Sequence, residues 1–260
     1  MEASDAGSTC IYRMEGGSKL KLIISSDWHL DASTAGMPRF DDVKKAVESI
    51  VWAARTAKAD MFLFLGDLTD PDSVRSHRSV ADAVNVALGL ARLGIPSRWL
   101  VGNHDVIEDG SGDHTLMSIG ELHRHDDVLG LIRVFDRPSV EDIEGGVMLV
   151  ALPFTPRSHP YDPATYVSTL DAASPCGRVV VMGHLNIEGI GPGSETTDMP
   201  RGRDVFFPVD AVQKRWPGAL MLNGHIHKPQ RFNNIYIPGS PCRFTFGEEH
   251  NSPGYLVCEV

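Results

Sequence analysis

Five short polar clusters in this chain combine residue types that coordinate metal ions: Asp27-Trp28-His29, Gly66-Asp67, Gly102-Asn103-His104-Asp105, Gly183-His184 and Gly224-His225-Ile226-His227. Carboxylates, a carboxamide and neutral imidazoles are hard or borderline oxygen and nitrogen donors, suited to manganese, iron or zinc. The clusters hold no thiolate, which argues against a structural zinc knuckle. Taken singly, each is ordinary chemistry: Gly-Asn and Gly-Asp are turn dipeptides, and Gly-His-x-His is a plausible chance pair among eleven histidines. Taken together they read as one two-metal site assembled from five loops. Two divalent cations about 3.5–4 Å apart can share a hydroxide, hold a phosphoryl oxygen and stabilise in-line displacement. A carboxylate between strand ends can bridge them, and Asp67 is the natural candidate.

Something must carry these residues to one place, and the apolar pattern says what. Apolar runs at 20–25, 61–65 and 98–101 each end just before a cluster. Unbroken runs of this length fit strands covered on both faces. Between them, Val43, Val47, Ile50, Val51 and Ala54 recur at helical spacing and predict a helix over about 41–58, with Asp41 and Asp42 at its start. Val74, Val80, Ala81, Val84, Leu88 and Ala91 predict a second over about 73–93, stopped by Gly94 and Pro96. This is the pattern of a parallel sheet with crossover helices. Its ligands gather at the carboxyl ends of strands, where the clusters sit. The second half predicts strands at 131–135, 147–152, 178–182, 219–222, 234–237 and 255–259, and short helices near 163–171 and 208–214. A Gly/Pro/Ser-rich stretch, 186–207, adjoins His184, and a loop that long beside a polar cluster is usually functional or mobile. Because the clusters run from Asp27 to His227, the expectation is a single domain over 19–260 behind a flexible leader, 1–18.

Composition narrows the function class. The 42% hydrophobic and 22% charged content is that of a globular chain, and no run approaches the roughly 18 apolar residues that span a bilayer. The first residues lack a signal-peptide pattern, so the expected location is cytoplasmic. Cys10, Cys176, Cys242 and Cys258 form no Cys-x-x-Cys pair and are read as reduced thiols. A net charge of −10 opposes non-specific nucleic-acid binding, although bound divalent cations reverse the field locally.

The five clusters, in order, resemble the five blocks of the calcineurin-like metallophosphoesterases over about residues 20–260. The closing stretch, Ile237-Pro238-Gly239-Ser240-Pro241 with Phe246-Gly247-Glu248, and Leu152-Pro153-Phe154 before it, is similar to exonuclease subunits of the SbcD/Mre11 type. The resemblance implies a four-layer α/β/β/α sandwich. It implies one metal on Asp27, His29, Asp67 and His227, and a second on Asp67, Asn103, His184 and His225. Two divalent metal ions are expected, manganese first, with iron or zinc as alternatives. His104 would act on the leaving oxygen as general acid, held by Asp70; a carboxylate-held imidazole suits that task near neutral pH. The implied activity is phosphodiester hydrolysis by metal-bound hydroxide, on DNA or a nucleotide, with an SbcC/Rad50-like ATPase as partner. Full subunits of this type continue into a DNA-binding cap and an ATPase-docking segment. The sequence stops at Val260, directly after the last predicted strand, so both contacts stay open.

Other readings keep or drop the chemistry. Pro71 stands where protein Ser/Thr phosphatases of this superfamily carry Arg, which disfavours that branch. A cyclic-nucleotide or general small-molecule phosphodiesterase would use the same site, and the acidic charge favours it. A silent scaffold is disfavoured, because such proteins lose the non-ligand histidine or several ligands, and here all are present. Arg201 and Arg203, in the long loop, are candidates to meet a phosphate or base, with Glu195 nearby. Trp28 and His77 read as packed side chains, and His114, His123 and His125 as a solvated polar stretch.

Overall fold

The computed structural model describes residues 19–70, 77–107, 111–154, 160–170, 178–190 and 206–260, and the backbone of 8–13. Twelve strands make two six-stranded sheets: β1 (Ser8–Arg13), β2 (Lys21–Ser25), β3 (Met61–Phe64), β4 (Ser97–Leu100), β5 (Ile132–Phe135), β6 (Ser139–Ile143), β7 (Val147–Leu152), β8 (Arg178–Gly183), β9 (Leu220–Asn223), β10 (Gln230–Phe232), β11 (Ile235–Ile237) and β12 (Gly254–Glu259). The first sheet runs β1-β12-β2-β3-β4-β5 and the second β10-β11-β9-β8-β7-β6. Among the helices of the described residues, α1 (Phe40–Thr56) and α2 (His77–Arg92) cover the first sheet, and α3 (Pro163–Thr169) and α4 (Ala211–Arg215) the second. No described helix is long and apolar enough to cross a membrane.

Strand alternation builds three apolar layers from these runs. In β3, Met61 and Leu63 face the second sheet while Phe62 and Phe64 face α1 and α2; in β7, Val147, Leu149 and Ala151 face the first sheet while Met148, Val150 and Leu152 face α3 and α4. Successive side chains point to opposite faces, so a strand between two layers must be apolar throughout, as the sequence runs are. The result is the expected four-layer α/β/β/α sandwich.

Four expectations need correction. Part of the leader is not loose: β1 pairs in parallel with β12, Ser8 opposite Gly254 through Arg13 opposite Glu259. A short edge strand amid Gly and Ser leaves little compositional trace. On α2 the buried face is Ser79, Asp82, Ala83, Ala87, Leu90 and Ala91, which keeps Ala91 of the predicted stripe but otherwise lies one step round from it; alanines let the helix lie close to the sheet, with Val84 and Leu88 at the flanks. His77 is exposed at the start of that helix, and Val74 lies outside the described residues. Strands β6 and β10 were not predicted, because half-exposed edge strands carry polar residues.

Glu141 joins the sheets through ion pairs to Arg98 and Arg133. Arg98, buried in β4, meets Glu141 of β6 in a bidentate contact, both N···O distances 2.8 Å, and also donates to the Ser97 carbonyl. Removing one member of such a pair leaves the other charge dry and unpaired. Glu141→Ala is therefore expected to lower unfolding free energy by about 3–5 kcal/mol. In urea melts the Arg98→Met/Glu141→Leu double variant is expected to recover most of that loss.

Candidate metal centre

Level strand ends bring the clusters together. Ser25 pairs with Phe64 and Phe64 with Trp99, while Gly183 pairs with both Leu152 and Asn223. The loops that follow therefore leave at the same height. They are then zipped: Asp27 N–H donates to the Gly66 carbonyl, His29 N–H to that of Asp67, and Gly224 N–H to that of Gly183. The Asp105 carboxylate, not assigned from sequence, ties two loops. It accepts from the amides of Asp67 (2.9 Å), Leu68 (2.9 Å) and Gly102 (2.8 Å) and from the Thr115 hydroxyl (2.7 Å). Gly102 is dictated by closeness: a Cβ there would lie 2.5 Å from the Asp67 amide nitrogen.

The backbone of the centre is strained. Asp27, His29, Asp67 and His225 all have positive φ, 54°, 42°, 60° and 75°, in the left-handed region that non-glycine residues rarely occupy. Such strain persists only where surrounding structure over-determines it and concentrates at functional sites.

Two buried groups of donors result. In one, Asp27, His29 and His227 bring ligand atoms within 4.8 Å of one another; in the other, Asp67, His184 and His225 do the same. The His29 and His227 Nε2 atoms are 3.1 Å apart. In the second group the Asn103 Oδ1 lies 2.9 Å from both His184 Nε2 and His225 Nδ1. Asp67 sits between: its Oδ1 accepts from the His104 amide (2.9 Å), and its Oδ2 lies 3.2 Å from His184 Nε2 and 3.9 Å from His29 Nε2. All seven residues that the sequence nominated as ligands thus meet in one place.

The outer partners fix which nitrogen faces inward. His184 Nδ1 donates to the Leu65 carbonyl (2.6 Å), His227 Nδ1 to Glu248 (2.8 Å) and His225 Nε2 to the Asn186 Oδ1 (2.9 Å). Each imidazole then turns a lone pair toward the centre, the usual way a metal-ligating histidine is held. Glu248 is buried and also accepts from the Phe244 amide. Asn186 and Glu248 were not singled out as functional. Glu248 lay within a motif quoted for resemblance, and Asn186 had no signal beyond closeness to His184. The Pro-Gly-Ser-Pro stretch acts through backbone. Ser240 N–H donates to the His227 carbonyl, and Gly239, at φ +73°, passes so close that a Cβ would lie 2.6 Å from that oxygen.

These atoms fit a cation. Carboxylate, carboxamide and imidazole acceptors face one another, and the buried Asp27 Oδ2 has no hydrogen-bond partner. Burial pushes the Asp27 carboxyl up to about 6 despite the His184 and His227 rings beside it. Burial also lowers His29 well below the usual imidazole range. For Asp67 burial is outweighed by His184, His104 and His29, which hold it well below the carboxylate range. Burial depresses His184, but Asp67 outweighs it and lifts the ring to about 9; a proton and a metal compete for that lone pair.

His104 stands apart from the donors. Its ring lies edge-on to His29, centroids 4.9 Å apart, and its Nδ1 is buried without a hydrogen-bond partner. The clamp expected from Asp70 is not formed. The turn directs the Asp70 amide to the Asp31 carboxylate at 2.6 Å, and no hydrogen bond from Asp70 reaches His104 Nδ1. Trp28 is fully buried, donates to the Ser25 hydroxyl and packs on Phe62, Phe64 and Trp99, which makes it a core residue. Arg201, Arg203 and Glu195 lie outside the described residues, as do Pro71 and Cys176. Cys242 is a free thiol.

Known proteins are similar to this chain. Over 246 residues the chain is 22% identical to exonuclease subunit 1 of Enterobacteria phage T4, an alignment covering 93% of this chain and 65% of that protein. The chain thus spans just under two thirds of the relative's length. The crystal structure of TT1561 of Thermus thermophilus superimposes with a TM-score of 0.52 at 14% identity, covering 85% of this chain and 90% of that one. A dimetal phosphatase from Danio rerio superimposes with a TM-score of 0.50 at 12% identity, covering 84% and 86%. Both show the fold. The profile of the calcineurin-like phosphoesterases matches residues 20–229, and with the paired donor groups in place the chain belongs to that family of metal-dependent phosphoesterases.

Proposed function

We propose that this phosphoesterase is a two-metal phosphodiesterase of the nuclease type, hydrolysing phosphodiester bonds of nucleic acid. The observation that carries the nuclease part is the similarity to a phage exonuclease subunit over nearly the whole chain. In this reading Asp27, His29, Asp67 and His227 hold one cation, and Asp67, Asn103, His184 and His225 the other, with manganese the first candidate. The chemistry that such cations supply is Lewis-acid polarisation of a phosphoryl oxygen and acidification of a water.

The protein's own contribution is positioning. The His104 amide fixes Asp67 Oδ1, so that Oδ2 faces both donor groups. The Asp105 carboxylate holds the backbone of both loops. The His104 side chain, beside His29 and outside the donor groups, is placed to protonate a leaving oxygen. The acidic net charge does not oppose an anionic substrate at a centre carrying two dications.

Three measurements check this reading. With Mn²⁺ present, the purified protein is expected to hydrolyse linear duplex or single-stranded DNA; turnover confined to cyclic nucleotides or small chromogenic diesters would favour the small-molecule alternative. Asp67→Asn is expected to weaken Mn²⁺ binding at both positions by at least about 10-fold, the loss typical even of outer partners. Full occupancy by metal analysis would contradict the bridge. His104→Ala is expected to keep its metal and lose about 10²–10⁴-fold in kcat on diesters with poor leaving groups, with a smaller loss on nitrophenyl diesters. Unchanged kcat would remove His104 from the chemistry.

A further inference from the structure

Two large aromatic side chains are exposed beside the metal centre, and each is held there by a residue that touches a donor histidine. Phe246 is 82% exposed. It opens the short 3-10 turn Phe246–Glu248, which is pinned on both sides of it. Two residues before, the Phe244 ring packs edgewise on His29 (5.4 Å) and His227 (5.7 Å). Two residues after, Glu248 accepts from His227 Nδ1. The turn cannot swing away without releasing His227, so the backbone that carries Phe246 is held near the first donor group.

Phe206 is 60% exposed, and its strand partner is a residue that reaches a histidine of the second group. It pairs with Asn186 in a two-residue parallel ladder, Asn186 opposite Phe206 and Ile187 opposite Phe207. Directly paired residues share a face of a ladder, and the next pair takes the other. Ile187 and Phe207 are buried against the outer helices, so Asn186 and Phe206 face away from that core. Asn186 reaches the His225 imidazole on that side. One exposed phenylalanine thus sits between two residues that touch His227, and the other is paired with a residue that touches His225.

Burying a phenylalanine stabilises a fold, and both of these rings forgo most of that gain. A diester held at the centre carries a nucleoside on either side of its phosphate. Bases present flat π faces that stack on aromatic side chains with little regard to sequence. In a duplex both faces of an internal base are already covered, so only an unpaired base has a face to offer. We infer that Phe246 and Phe206 are stacking surfaces for the unpaired bases that flank the phosphate under attack. They make the centre select strands that carry bases over the bare sugar–phosphate backbone. This inference rests on the nuclease reading.

The test uses the full chain with Mn²⁺ and two single-stranded oligodeoxynucleotides of equal length, one ordinary and one abasic around the cleavage point. Phe246→Ala and Phe206→Ala are each expected to raise KM for the ordinary strand at least about 5-fold, with kcat changed less. The preference for the ordinary over the abasic strand should shrink toward unity, and Phe246→Trp should restore it. Both side chains are exposed, so folding is not at stake. Equal losses on the two strands, or none on either, would overturn the assignment and point instead to a surface covered by another protein. A separate readout needs no turnover: quenching of a 2-aminopurine base in the ordinary strand on binding, lost in Phe246→Ala. If the protein cleaves a chromogenic diester but neither strand, the nuclease reading fails; quenching then still decides whether a base stacks, and its absence would overturn the inference.

Discussion

Hydrogen-bond acceptors facing one another in a dry interior are the constraint on which the rest of this molecule depends. Lone pairs of His184, His225 and Asn103 converge, as do those of His29 and His227, and the outward nitrogens of three of these rings are already spent on Leu65, Asn186 and Glu248. Left alone, such an array is repulsive, and burying polar groups without partners costs free energy. Only positive charge makes it favourable. Everything nearby serves to keep the acceptors where they are: four residues in left-handed backbone, a carboxylate binding four donors, glycines that let chains touch.

The fold can hold that arrangement because it is stiff in the right direction. Strand ends level with one another leave the loops little freedom, and the three apolar layers fix the sheets face to face. Polar bonds then finish the placement at the level of single atoms. The Asp67 carboxylate illustrates the division of labour. The strand end delivers the residue, Asp105 orients its amide, and the His104 amide decides which oxygen is left to face both donor groups.

Much of this was legible in the sequence, for physical reasons that also explain what was not. Uninterrupted apolar runs announce strands sandwiched between layers, so Met61 to Phe64 and Val147 to Leu152 were readable by eye. The ligands were readable because Asp, Asn and His after such runs have a joint meaning that none has alone. Strands β1, β6 and β10 were not, because an edge strand is held by backbone bonds to one neighbour and leaves its composition free. The supports of the centre were hidden for a different reason. Asn186 and Glu248 act on His225 and His227 across 39 and 21 residues, and nothing local marks such a pairing. The Asp70–His104 contact, carried over from the resemblance, is not made by this turn.

The two groups of donors do not map onto the two sheets. Asp27, His29, Asp67 and Asn103 follow strands of the first, whereas His184, His225 and His227 follow strands of the second, so each cation-sized cluster straddles the seam. No proteolytic fragment carrying a single sheet could retain even one complete cluster. Occupancy is then an all-or-none property of the closed sandwich. Ions that bind only the closed form would shift its unfolding equilibrium by mass action, which makes the supply of free cation a determinant of how long the folded chain endures.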